Sequence, residues 1–308
     1  MKKSSTMSYE EKIKKIVDDI MNEKNDNPFD STFRYIDQYH PEETHISLRF
    51  PGIFVKSLKT DAFTKDNRNL KMDSAHLVLK DDLIPNDAVI NPEHQSYILS
   101  EEKIDVLYEY KLQLTIKEKL TALPVVVTNI GEGDKSEIYE SHGDAFKIYF
   151  RVFTHKEIKK RLNSLTYKVN NNKIITSVTS MDFAYILLFA KKSVGKEYTE
   201  KVVKLFCDVK NLEESLKLDL YYVLKKLIRA HFKDDLNRTR ELLTMITKSL
   251  NPETLEKFPT LKKMNEEINE LNEKIEEKDN KLEEKDHVIQ EKDNEISILK
   301  QKLAKYEK

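Results

Sequence analysis

Asp73 and Glu93 stand twenty positions apart, and Glu93 opens the run Glu93-His94-Gln95-Ser96. Asp73, Ala75, Leu77 and Leu79 fall on every second position and so share one face of a strand over residues 70–80. Asp81-Asp82 and Pro85-Asn86-Asp87 make a turn, and a second strand runs from Ala88 to Gln95. Alternation puts Glu93 and Gln95 on one face and His94 on the other. Across a hairpin that face also holds Asp73. Two carboxylates converging at strand ends make a hard oxygen site suited to Mg²⁺ or Mn²⁺. Such a cation polarises a phosphoryl oxygen and lowers the pKa of its bound water, as phosphodiester hydrolysis requires. Acidic residues on neighbouring strands also occur on solvated sheet faces, and the pair alone does not decide between the two.

Other chemistry is thin. His40, His45, His76, His142, His155 and His231 show no His-x₃-His or His-Glu-x-x-His spacing, which argues against zinc hydrolysis. Cys207 is the single cysteine and lies on an apolar helix face, so it reads as a packing residue in a reducing compartment. Gly131 and Gly133 lack a third glycine and a following helix, so they make a turn and not a nucleotide loop. Lys156, Lys159, Lys160 and Arg161 form a basic cluster that fits either a DNA-backbone contact or a solvated helix face.

The elements that must position these residues follow from periodicity. Ile13, Ile16, Val17 and Ile20 predict an amphipathic helix over 8–24. A second helix starts near Asp30, carries Phe33, Ile36 and Tyr39, and stops at Pro41. From 44 onward the pattern is extended, through Ile46, Leu48 and Phe50, then Ile53 and Val55. Ser100-Glu101-Glu102 opens a helix that reaches about Lys119, and Leu123 to Asn129 reads as a buried parallel strand. Ala145 to Thr154 gives another strand. This order predicts an α/β layered domain. After 155 the apolar stripes are helical to about 250, where Asn251-Pro252 closes the region.

The chain has 53 Lys and Arg against 54 Asp and Glu, a net charge of −1, which excludes a protein that coats nucleic acid through bulk charge. No run approaches eighteen apolar residues, and no apolar stretch follows Lys2 and Lys3, so the expectation is a soluble cytoplasmic protein with no membrane contact. Beyond residue 258 a heptad places Leu261, Ile268, Ile275, Leu282, Ile289, Ile296 and Leu303 at successive a positions. Lys278, Lys285 and Lys292 stand at d in its middle. The pattern predicts a coiled coil joining two or more copies as a homo-oligomer, with a solitary solvated helix as the alternative.

Asp73, the hairpin, Glu93-His94-Gln95-Ser96 and a following helix with Tyr108-Glu109-Tyr110 resemble the recombination-promoting nuclease and putative transposase family of the PD-(D/E)XK superfamily. Asp30-Ser31-Thr32-Phe33-Arg34 is similar to that family's opening signature. The resemblance covers about residues 28–155, extends loosely to about 250 and leaves out the heptad tail. It implies a PD-(D/E)XK (restriction-endonuclease-like) core over 28–155 behind an N-terminal helix over 1–27. A helical region over 156–255 and a coiled coil over 258–308 would follow. It also implies Mg²⁺-dependent cleavage of DNA with no small-molecule cofactor. By position, Asp73 and Glu93 would hold the metal, Gln95 would take the place of the superfamily lysine, and Asp30 would be an accessory acid. An amide takes up no proton, so Gln95 would only orient water or a phosphate oxygen. Asn91-Pro92 departs from the family's continuous apolar strand, because proline removes a ladder hydrogen bond and is expected to displace Glu93. The second reading is therefore a degenerate nuclease fold acting as a DNA- or protein-binding scaffold.

Overall fold

Capping side chains set where several helices begin. In α1 (Tyr9–Asn22) the Ser8 hydroxyl accepts from the Glu11 N–H and Glu11 returns the bond to the Ser8 N–H. Ser100 caps α4 (Glu101–Glu118) by accepting from the Lys103 N–H, and Thr154 caps α5 (His155–Asn170) through Glu157. The computed structural model describes residues 8–23, 27–58, 61–63, 69–72, 74–254 and 292. Asp73 lies outside the described residues, as does the heptad segment 258–308 apart from Lys292.

Pro28 and Pro41 both sit in first turns, opening α2 (Pro28–Tyr39) and α3 (Pro41–Leu48). The extended reading of Ile46, Leu48 and Phe50 is thereby corrected. Pro41 starts a helix as well as ending one, and Glu42 and Glu43 favour that first turn. Thr44, His45, Ser47 and Leu48 are buried, while Ile46 faces out.

The strands are β1 (Ile53–Ser57), β2 (Asp61–Phe63), β3 (Asn69–Lys71), β4 (His76–Leu79), β5 (Ala88–His94), β6 (Thr121–Thr128), β7 (Lys135–Ser141) and β8 (Asp144–Val152). Six of them form one mixed sheet in the order β1-β4-β5-β6-β8-β7, and β2 pairs with β3 separately. β4 pairs antiparallel with β1 on one side and β5 on the other, β5, β6 and β8 run parallel, and β7 returns antiparallel on the edge. The strand expected over 70–80 is thus two strands in different sheets. β7 had no sequence signal as a strand because its residues alternate among charged and small polar types with Ile138 exposed.

One sheet face packs on α4: Leu107 and Leu114 are fully buried in a cluster with Ala75, Val89 and Val126. Each such leucine contributes roughly 1.5–3 kcal/mol by removal from water. The opposite face meets α2 and α7 (Asp182–Leu188), where the Phe33, His94, Phe189 and Phe153 rings lie in sequence with centroids 5.9, 5.7 and 4.3 Å apart. Gly52 (φ +85°) lets the chain enter β1, since a Cβ there would stand 2.7 Å from Val78.

The remaining helices are α6 (Ser177–Ser180), α8 (Lys192–Asp208), α9 (Glu214–His231) and α10 (Leu236–Lys248). α1 packs on α10 and α2 on α9, so Met1–Leu250 forms one compact unit, with Asn251–Lys308 a second. Among the described residues no helix is long and apolar enough to cross a membrane.

Asn91-Pro92 does not interrupt β5. Its register with β6 continues through Asn91↔Pro124, Pro92↔Val125 and Glu93↔Val126. The Gln95 N–H donates to the Val127 carbonyl at 2.9 Å, so odd-numbered N–H groups point to β6 and that of residue 92 would point the other way. On that side pairing with β4 has already ended at His76↔Ile90. The missing N–H of Pro92 therefore costs no ladder bond, and Glu93 stays in register.

Candidate active site

Glu93 lies next to the end of β5 and faces α4, and it is almost wholly enclosed, 4% exposed. Nζ of Lys103, from the first turn of α4, lies 2.8 Å from Glu93 Oε2. The Ser100 cap holds that turn in place, and the Lys103 ammonium also stands 5.9 Å from the Tyr110 ring centroid. Gln95 follows on the same side, half-buried, with its backbone pinned to β6. His94 turns the other way between Phe33 and Phe189; burial pushes its pKa down to about 4, so the ring is a neutral packing group.

The first turn of α2 supplies the facing wall. Asp30 pairs with Arg34 one turn on at 3.3 Å. Asp30, Arg34, Glu93, Gln95, Lys103 and Tyr110 line a cleft of about 290 Å³, with Asn27 and Tyr97 at its margins. The structure thus brings Asp30, Glu93 and Gln95 together, from positions 65 residues apart in the chain. Asp73 falls outside the described residues, but its successor is tethered here: Asn91 Nδ2 donates to the Ser74 carbonyl at 2.6 Å. Asn91 Oδ1, two positions before Glu93, is buried with no hydrogen-bond partner.

Asp30, Glu93 and Gln95 offer side-chain oxygen atoms to this cleft, of the kind Mg²⁺ and Mn²⁺ prefer. Glu93, Gln95 and the orphaned Asn91 oxygen suit such an ion in type. Among the described residues no three His, Cys, Asp or Glu side chains converge as a metal-binding group.

The basic cluster on α5 divides. Lys156, Lys159 and Lys160 are exposed, whereas Arg161 is turned inward. Arg161 donates to Asp182 at 2.6 Å, to the Ser47 carbonyl at 2.6 Å and to Glu157 at 3.2 Å, over the Phe153 ring. Arg151, 3% exposed, joins Glu157 and Asp134 in the same network. Burial pushes the Glu157 carboxyl up, but bonds and charge from Arg151 and Arg161 bring it below its ordinary value. Arg161 is thus a largely buried tie between α5, α3 and α7, its charge already met by Glu157 and Asp182. Cys207 is half-buried and its thiol pKa is raised by burial, as suits a packing residue.

Lys103 and Tyr97 belong to the cleft without having stood out in the sequence. Lys103 is three residues after a helix cap that itself follows the Glu93 strand, a position that returns a long side chain over the strand end. Comparison with protein-family models, with curated proteins and with solved structures finds no match to this chain.

Proposed function

We propose that this chain is a metal-dependent DNA endonuclease with a PD-(D/E)XK core, as its resemblance to the recombination-promoting nuclease and putative transposase family implies. The observation that carries the reading is the meeting of Glu93, Gln95, Asp30 and Lys103 in one cleft at the carboxyl end of β5. In open α/β sheets, ligands bind in the crevice beyond the carboxyl ends of the strands. Support also comes from the Asn91 tether, which binds the residue after Asp73 beside β5.

Glu93, with Asp73, would hold Mg²⁺ or Mn²⁺, and the bound ion supplies polarisation of a phosphoryl oxygen and activation of water. Gln95 orients the water or a phosphate oxygen through its amide. The Lys103 ammonium, already against Glu93, offsets negative charge that develops on the phosphate. Asp30 and its partner Arg34 close the opposite wall and keep the scissile group in place. The heptad tail would assemble copies of the chain.

The test is plasmid nicking by purified protein in Mg²⁺ or Mn²⁺, set against EDTA. Asp73→Ala and Glu93→Ala should each abolish it, and cleavage that survives both rejects the site. One observation favours a second reading, a degenerate scaffold: Lys103 occupies a Glu93 oxygen that a cation would need. Wild-type protein inert with both metals would establish that reading instead.

A further inference from the structure

A second groove, of about 690 Å³, lies between the start of α8 and the α9–α10 turn. Its charge is one-sided: among the described residues that line it, Lys192, Lys196, Arg229 and Lys233 stand against the single carboxylate of Asp234. The chain as a whole balances 53 basic against 54 acidic residues, so four cations against one acid in a single groove depart locally from that balance. Lys192, Lys196 and Lys233 are exposed, and among the described residues no carboxylate pairs with them. Uncompensated lysines so close together repel one another, an arrangement that a bound polyanion relieves.

The groove wall is fixed by close packing of α8 on α9. A Cβ at Gly195 would collide with the His231 ring, whose Nε2 donates to the Leu187 carbonyl at 2.9 Å. Gly195 therefore lets α8 close on α9, with Lys192 and Lys196 one turn apart on α8 in the groove wall. Tyr97, 76% exposed, lines both this groove and the Glu93 cleft, so the two adjoin at its ring. A large exposed aromatic at such a junction offers a stacking surface for a base.

We propose that the groove formed by Lys192, Lys196, Arg229 and Lys233 is the track for the phosphodiester backbone of a nucleic acid, leading past Tyr97 into the Glu93 cleft. It rests on the nuclease reading for what happens at Glu93, while its test reads binding alone. The groove fits nucleic acid better than an acidic polypeptide, because it adjoins a cleft equipped for a phosphate and passes an exposed aromatic.

The test is anisotropy of a fluorescein-labelled 20-nucleotide DNA, single-stranded and duplex, with the full chain in EDTA. Lys192→Glu/Lys196→Glu/Lys233→Glu should weaken binding at least about tenfold, and the slope of log K against log salt should fall by about 2 to 3. The neutral Lys→Gln triple at the same sites, the safer variant for folding, should show the same loss of slope. Lys156→Glu/Lys159→Glu/Lys160→Glu makes the same charge change on α5 and should cost less than about threefold. Equal losses from the two reversals, no loss from the groove variants, or no binding by the wild type would overturn the proposal. So would displacement of the DNA by polyglutamate at equal charge concentration. A wild type that binds through the groove but never nicks plasmid rejects the nuclease reading and leaves the groove standing. Nicking with groove variants that bind normally rejects the groove alone.

Discussion

Lys103 Nζ stands 2.8 Å from Oε2 of Glu93, so an ammonium from the first turn of α4 meets the carboxylate next to the end of β5. The pair separates the two readings of the cleft. In an active site the ammonium stabilises charge on the phosphate, and Lys103→Met should lower the nicking rate by about 100-fold, the scale of one electrostatic donor. Circular dichroism should show the fold retained. An unchanged rate would exclude Lys103 from the chemistry.

His94 makes the fold sensitive to acid. Its ring is neutral when buried, with a pKa of about 4 against 6.5 for an ordinary histidine, so the unfolded chain binds a proton first as pH falls. The stability it contributes is present above pH 6.5 and drains away as pH falls toward about 4. From His94 alone the loss between pH 7.5 and pH 5 should be about 2 kcal/mol. Burial depresses His45 and His231 in the same direction. Urea unfolding at the two pH values measures the loss, and His94→Phe should flatten the dependence; a slope unaltered in that variant would contradict the assignment.

Arg161 holds the fold and should matter little for DNA. It and Asp182 are 13% and 12% exposed, and burial already raises the Asp182 pKa against the pull of Arg161. Arg161→Met leaves that carboxylate without its cation and should cost about 3 kcal/mol in urea unfolding. The double variant Arg161→Met/Asp182→Leu should recover more than half of it. The salt slope of DNA binding should stay within error of wild type, and a fall of about one would return Arg161 to the DNA contacts.

The heptad reading concerns residues outside those described, and solution size tests it. Met1–Leu250 is a compact unit, so a chain ending at Pro252 should fold with its helix content intact. By light scattering the full chain should run as a larger species than the truncated one. Two monomers at tens of micromolar would show that the tail does not join copies of this chain.

Sequence legibility followed how local each determinant is. Ser100 announces its helix because a cap acts over three residues. Asp30, Glu93 and Gln95 were readable as a set only through the family spelling; their meeting depends on α2 lying across the sheet. Pro41 was ambiguous since proline suits both the end of one helix and the first turn of the next. Pro92 looked disruptive because the early end of β4, which makes it harmless, is a property of a different strand. Arg161 looked like a surface charge because its partners Ser47 and Asp182 lie 114 and 21 positions away.

The packing of α2 on α9 also sets a timetable for synthesis. Tyr35 of α2 and His40, which caps its end, both hold Asp219, at 2.9 and 3.0 Å, and Lys225 reaches back 202 positions to Glu23. Every cleft side chain from Asp30 to Tyr110 has therefore left the peptidyl-transfer centre well before the helix that braces the Asp30 wall exists. At about 5–20 residues per second, the interval from Lys103 to His231 is roughly ten seconds. Contacts this distant in sequence form late. A nascent chain carries the cleft residues without the braced cleft, and full assembly waits for the last hundred or so residues of the compact unit.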